Sequence, residues 1–546
     1  MIKDISIIRK EIYDFAKDYE SFRNNSFLIA CFKLTCAAEY CFLNIMLSLK
    51  NPLNAMYAGT CQDNVRGAYR EALKQAYRFC DKETETNDDK LQIDGTELNK
   101  TIGELNNFID FNQVRNLFEQ YDLGRYNIVV NSEKEITFER NKAKRSIDAE
   151  LYTRWMDKRK PELEERQLLE GIEMELYTHL INPNDCQFWD VNSRSFSTAK
   201  HLKDIYKLAL KKIEIDSEEY GDYDFGIFTT AQFKKVYAVL VAISVTNINY
   251  HFALKMVNGL EMDKYKPIVN FKLEELIDLI KHITKLKEET ISAVINKLSY
   301  DAEFHKNKIT IFQPLFVTQE IVFFSPSLVY FGLAYDKLLY VLKHDRNYET
   351  LFSKMARDRE KTMTDDLCDF IEEESELLYS QNYTVRDGVK SLAEFDLILY
   401  DEQAKKMLLC ELKWFSETEG EYDMPKIERK INDAIGNRLK KEKIAKERLG
   451  DIKKMLDIEE DYGIEIQSCI ISKNNCGSDF LEDDLPVLDV FWFKNLLRNI
   501  KFDLEQLFKM FKEKNYLPDM GEIGVEFIKR EAEYAGYKIN MESVAV

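Results

Sequence analysis

The stretch AEFDLILYDEQAKKMLLCELKWF (393–415) decides how this chain is read. Its two ends, AEFDLILY (393–400) and KMLLCELKWF (406–415), have the apolar composition of β-strands. The polar DEQAKK (401–406) between them has the composition of a turn. Residues two apart on a strand share a face. Glu411 and Lys413 therefore share one face, and Leu408, Cys410 and Leu412 the other. On the first strand Glu394, Asp396, Ile398 and Tyr400 fall together, opposite Phe395, Leu397 and Leu399. A hairpin symmetric about Gln403–Ala404 sets Asp396 across from Glu411. Directly opposed side chains lie about 5 Å apart at Cβ, and two carboxylates that close repel. A divalent cation removes the conflict. Acidic oxygens, carbonyls and waters suit Mg²⁺ or Mn²⁺. Lys413 is then placed to orient or help deprotonate a water and to stabilise a pentavalent phosphate.

The flanks extend the pattern. Residues 348–378 have the spacing of a long helix, and NYTVRDG (382–388) that of a first strand. A basic helical stretch, 425–456, follows the hairpin with Pro425 near its start. EIQSCIISK (465–473) and VLDVFWF (487–493) are expected as further strands. The order is α-β-β-β-α-β, with an extra strand at 487–493.

With E-F-D (394–396) and E-L-K (411–413) on these elements in this order, residues 346–500 resemble the restriction-endonuclease-like, or PD-(D/E)xK, nuclease superfamily. The form E-F-D…C-E-L-K-W is most similar to its Mrr and NERD branches. The resemblance implies an α/β domain, a mixed sheet flanked by helices, that hydrolyses phosphodiester bonds with Mg²⁺ or Mn²⁺. It implies Asp396, Glu411 and the Leu412 carbonyl as metal ligands and Lys413 as the residue acting on the attacking water. No proline precedes Asp396. An acid on the first helix is also implied; Asp365, Asp366, Asp369 and Glu373 are candidates, and Asp366, with Phe370 one turn on, is preferred. DNA is the expected substrate, ahead of RNA, because those branches mostly cut DNA. Cleaving two strands needs two sites, so a homo-oligomer is expected. By analogy, a nuclease joined to a large second region suggests antiviral or anti-plasmid defence, with an unknown activating partner. The alternative is a nuclease fold without catalysis, serving as a nucleic-acid-binding or assembly module.

Composition restricts where nucleic acid can bind. The chain has 546 residues and a net charge of −19, so its bulk surface does not attract polyanions. Residues 425–454 are an exception, with eleven Lys and Arg against five acids. Lys426, Arg429, Lys430, Arg438, Lys440 and Lys441 are candidate phosphate contacts. An ordinary solvated helix with Glu and Lys one turn apart has the same pattern. The ten cysteines and six histidines form no metal or disulfide signature. Most cysteines are expected as buried reduced thiols, in keeping with a cytoplasmic protein. Neither a zinc-protease, a nucleophile-elbow nor a Walker A motif is present.

Residues 1–345 are expected to form a mostly helical recognition, regulatory or oligomerisation region with β-hairpins, and 501–546 a helical tail. Nine Pro and 19 Gly in the whole chain fit long unbroken elements. Helices are expected through 1–82, over 141–181, and at about 198–213, 230–257, 273–284 and 287–298. DKETETNDDK (81–90) is expected as a loop. Hairpins are expected at 126–140 and 308–329. The aromatic residues of the second, Phe312, Phe316, Phe323 and Phe324, are expected in the core rather than as a base-stacking platform. The apolar stretches 27–49 and 236–254 carry Lys33, Glu39, Asn247, Asn249 and His251. Polar groups at such depth favour buried helices over membrane spans. The N-terminal residues do not have the form of a signal peptide.

Overall fold

A computed structural model describes residues 4–23, 25–47, 52–80, 91–122, 124, 126–140, 164–181, 189–190, 195–196, 199–216, 221–258, 267–300, 313–332, 334–414, 424–458, 463–473, 485–513, 515–516 and 526–545. The chain is multidomain, with a mostly helical N-terminal region and a mixed α/β unit after it.

The α/β unit begins with α1 (Glu349–Glu374), followed by β1 (Leu378–Asp387), β2 (Lys390–Asp401) and β3 (Lys406–Lys413). Then come α2 (Met424–Glu447), α3 (Leu449–Met455), β4 (Glu465–Ser472), β5 (Val487–Asp489), α4 (Val490–Asn499) and α5 (Leu504–Glu513). The strands form one sheet in the order β5-β4-β3-β2-β1. Strands β3, β4 and β5 run parallel, and β1, β2 and β3 are antiparallel neighbours. VLDVFWF holds only a short strand. Asp489 ends it by accepting the Trp492 N–H at 2.8 Å, which caps α4.

Helices cover both faces of this sheet. Leu397, Leu399, Leu408 and Cys410 pack against α1, α4 and α5. Ile398, Tyr400, Met407 and Leu409 pack against α2 and α3. The hairpin therefore has no continuous charged face. Phe395 also departs from the expected alternation, since it packs with Ile398 and Tyr400 rather than with Leu397 and Leu399. Beside it Asn382 on β1 adopts φ +52°, and regular pairing of β1 with β2 skips the Asn382–Asp396 position.

The described residues of the N-terminal region form two apolar cores. One surrounds the helix Thr230–Asn258, and the other is built on the helices Phe27–Leu47 and Gly95–Asp122. The helices expected at 198–213, 230–257, 273–284 and 287–298 occur at Ala199–Asp216, Thr230–Asn258, Leu273–Thr284 and Glu288–Leu298. The first hairpin pairs Tyr126–Ser132 with Glu135–Arg140. Among the described residues of the second, Phe316–Val317 pairs with Ile321–Phe324, and Phe316, Phe323 and Phe324 are buried. Phe312, the 81–90 loop and the first part of the 141–181 helix lie outside the described residues.

One described helix, Phe27–Leu47, holds a segment, Phe27–Met46, long and apolar enough to cross a membrane by length and composition, and most of that segment is buried inside the protein. Its Glu39 is fully buried. Ser325 Oγ (2.5 Å), Ser327 Oγ (2.7 Å) and Ser327 N–H (3.0 Å) all donate to its carboxylate.

The tail differs from the expected helix. Among its described residues only α5 is helical, and it belongs to the sheet core through Leu504, Leu507, Phe508 and Phe511. Residues 526–545 form a hairpin instead, Glu526–Tyr534 with Tyr537–Ala545. That hairpin returns to the N-terminal region, where Ile539 pairs with Ile136 in a parallel ladder and Tyr537 bonds Glu11. The α/β unit is thus inserted between two parts of the N-terminal core.

Candidate functional site

The turn that joins β2 to β3 is made locally. Asp401 Oδ1 accepts the N–H groups of Gln403 (3.0 Å) and Ala404 (2.9 Å), and Lys405 takes φ +57°. The ladder then runs from Asp401↔Lys406 to Leu397↔Cys410. This is the register centred on Gln403–Ala404, and the next opposed positions are Asp396 and Glu411. Regular pairing stops there. The Leu412 N–H donates to Asp396 Oδ2 at 2.8 Å, so the Asp396 side chain takes the place of a ladder carbonyl.

Glu411 is only 5% exposed. Lys413 Nζ lies 2.9 Å from its Oε1, and Lys441 Nζ, from α2, lies 2.5 Å from its Oε2. Burial raises the Asp396 carboxyl above its ordinary range, and the Glu411 charge raises it further. Burial alone would raise Glu411 too. Lys413 and Lys441 overcome that and hold it below the ordinary range. Burial would lower Lys413, but Glu411, Asp396 and Glu360 raise it. Lys413 is therefore a firmly charged ammonium, suited to orienting and stabilising charge rather than to accepting a proton.

The candidates on α2 separate by helical phase. Ile431, Ala434, Ile435, Arg438 and Ala445 form its inner stripe. Arg438 is only 1% exposed, so it cannot be a phosphate contact. It donates to the Leu409 carbonyl (2.8 Å) and to Ser468 Oγ (2.7 Å), and Ser468 Oγ donates to Glu442 (2.8 Å). Lys430 and Lys440 are exposed, whereas Lys441 turns inward to Glu411. The side chains of Lys426 and Arg429 lie outside the described residues.

Asp366 is not at the site. It pairs with Lys494 of α4 at 2.8 Å. Asp365 and Asp369 act on the Cys368 thiol, which is buried in the core on the α4–α5 side of the sheet. The acid of α1 whose charge reaches Lys413 is instead Glu360, one turn and more before the four expected candidates. Its neighbour Arg359 lies over the Trp414 ring at 4.3 Å, so the N-terminal half of α1 runs beside the end of β3. No sequence signal singles out Glu360 within the acid-rich helix.

No protein-family model, no curated protein and no solved structure matches the chain. A functional reading therefore rests on the residues themselves. Among the described residues no group of three or more His, Cys, Asp or Glu side chains converges as a metal cluster. Asp396 and Glu411, however, are two carboxylates close enough for the charge of one to raise the other. Such a pair, with the Leu412 carbonyl between Glu411 and Lys413, fits a hard divalent cation that keeps several waters.

Proposed function

We propose that residues 346–516 are a restriction-endonuclease-like domain that hydrolyses phosphodiester bonds, with DNA as the favoured substrate. The observation that carries this reading is the opposition of Asp396 and Glu411 at the end of the β2–β3 ladder, with Lys413 at 2.9 Å from Glu411. The mixed sheet, with helices on both faces and this hairpin at its centre, supports the same reading.

Asp396, Glu411 and the Leu412 carbonyl would hold Mg²⁺ or Mn²⁺, which when bound supplies Lewis-acid charge and an acidified water. Asp396 is fixed for this part by the Leu412 amide. Lys413 directs the attacking water toward phosphorus and offsets charge on the phosphorane. Glu360 helps keep Lys413 protonated. The exposed Lys430 and Lys440 lie on the same helix as Lys441 and supply local positive charge to an acidic protein.

A second reading has one specific support. Two lysines already neutralise Glu411, which is how a nuclease fold that only binds nucleic acid would look. Incubation with plasmid DNA and with structured RNA, in Mg²⁺, Mn²⁺ or EDTA, separates the two. Metal-dependent cleavage of DNA supports the nuclease. Binding that is indifferent to metal, with no cleavage, supports the binding module.

A further inference from the structure

Both oxygens of Glu411 are taken by ammonium groups, and the two lysines are held differently. Lys413 shares a strand and a face with Glu411, so the backbone of β3 fixes their proximity. Lys441 arrives from another element on a flexible four-carbon stem. The helix beneath it is anchored. Arg438 bonds the Leu409 carbonyl and Ser468, and Glu442 bonds Ser468, on the residues either side of Lys440 and Lys441. Lys441 can therefore leave Glu411 by turning its own side chain, without moving α2. A divalent cation on Glu411 would meet the Lys441 ammonium at contact distance, where like charges repel strongly.

We propose that Lys441 is a displaceable counter-ion that competes with a divalent cation for Glu411 and keeps metal affinity low until another anion draws the ammonium away. This rests on the reading of Asp396 and Glu411 as metal ligands. A nucleic-acid phosphate is the anion whose chemistry fits, because it binds an ammonium well and enters this site as substrate. Metal and nucleic acid would then favour each other's binding, as linkage requires. The device differs from a catalytic lysine: removing it strengthens metal binding instead of weakening it.

The test measures Mn²⁺ binding to the full chain without nucleic acid, by calorimetry and by the electron-spin resonance signal of free Mn²⁺. Wild type is compared with Lys441→Met, Lys441→Gln and Glu411→Gln, with circular dichroism to confirm folding. We expect both Lys441 variants to bind Mn²⁺ about tenfold tighter than wild type, within the usual range of coupling between sites, and Glu411→Gln to lose binding. Equal or weaker binding by both folded Lys441 variants, with wild type binding Mn²⁺, overturns the counter-ion while the metal site stands. No binding by wild type or by either Lys441 variant overturns the metal reading itself.

Discussion

The Leu412 amide donates to the Asp396 carboxylate at 2.8 Å, immediately beyond the last regular pair of the β2–β3 ladder. A side chain replaces a backbone acceptor there, so the two strands can part without leaving a buried N–H unpaired. The same bond holds Asp396 beside Glu411. Local hairpin geometry and the placement of the candidate ligands are therefore one feature.

The helix acid gives the first prediction. Glu360→Gln should slow plasmid cleavage by no more than about threefold, because Glu360 is the weakest of the charges that favour the Lys413 ammonium, which stays protonated without it. Asp366→Asn should leave the rate unchanged. It removes only the half-exposed pair with Lys494, worth under about 1 kcal/mol. Rates of the two variants under identical Mg²⁺ decide between these acids. Loss of activity in Asp366→Asn alone would return the role to Asp366.

Arg438 should behave as a structural residue. Arg438→Ala leaves the Leu409 carbonyl and Ser468 without their buried donor and opens a cavity. A loss of about 3 kcal/mol in urea unfolding is expected. Lys440→Ala, on the exposed side of the same helix, should change stability by less than about 0.5 kcal/mol. Similar midpoints for the two variants would contradict this helical phase.

Glu39 makes stability depend on pH. Burial lifts its carboxyl from the ordinary 4.5 to about 7, against the pull of the Ser325 and Ser327 donors. The folded chain holds this proton more tightly than the unfolded chain. Its contribution is therefore complete below pH 4.5 and is lost as pH rises through 7. A glutamine cannot titrate. The stability difference between wild type and Glu39→Gln should shift against wild type from pH 4.5 to 8, by on the order of 3 kcal/mol. Parallel pH profiles would contradict the buried ionisation.

The C-terminal hairpin should stabilise the N-terminal region rather than the α/β unit. Removing residues 526–546 strips the Tyr537–Ala545 strand from Glu135–Arg140 and takes Tyr534, Tyr537 and Ile539 out of that core. Limited proteolysis should then cut first within residues 1–345. Earliest cutting between 346 and 516 would argue against the return of the chain end.

The hairpin register was legible because the polar DEQAKK (401–406) is centred on Gln403–Ala404 and Tyr400 and Met407, the apolar residues that flank it, lie equally far from that centre. Long helices such as Thr230–Asn258 were legible from unbroken apolar content. Three features were not. The fate of each basic residue on α2 depends on a few tens of degrees of helical phase, which placed Arg438 inside and turned Lys441 toward Glu411. Glu360 stands among many acids on α1, and only the approach of that helix to Lys413 and Trp414 distinguishes it. The final strands pair with residues some four hundred positions earlier, a long-range contact that local pattern does not carry.

The central claim is that Asp396, Glu411 and Lys413 act together on a phosphodiester. The most direct measurement compares initial rates of plasmid cleavage in Mg²⁺ for wild type, Glu411→Ala and Lys413→Ala, each shown to be folded, with an EDTA control. Cleavage by wild type that is abolished by EDTA and falls by at least about a hundredfold in both variants is the predicted result. Cleavage that survives both substitutions, or that EDTA leaves untouched, would contradict it.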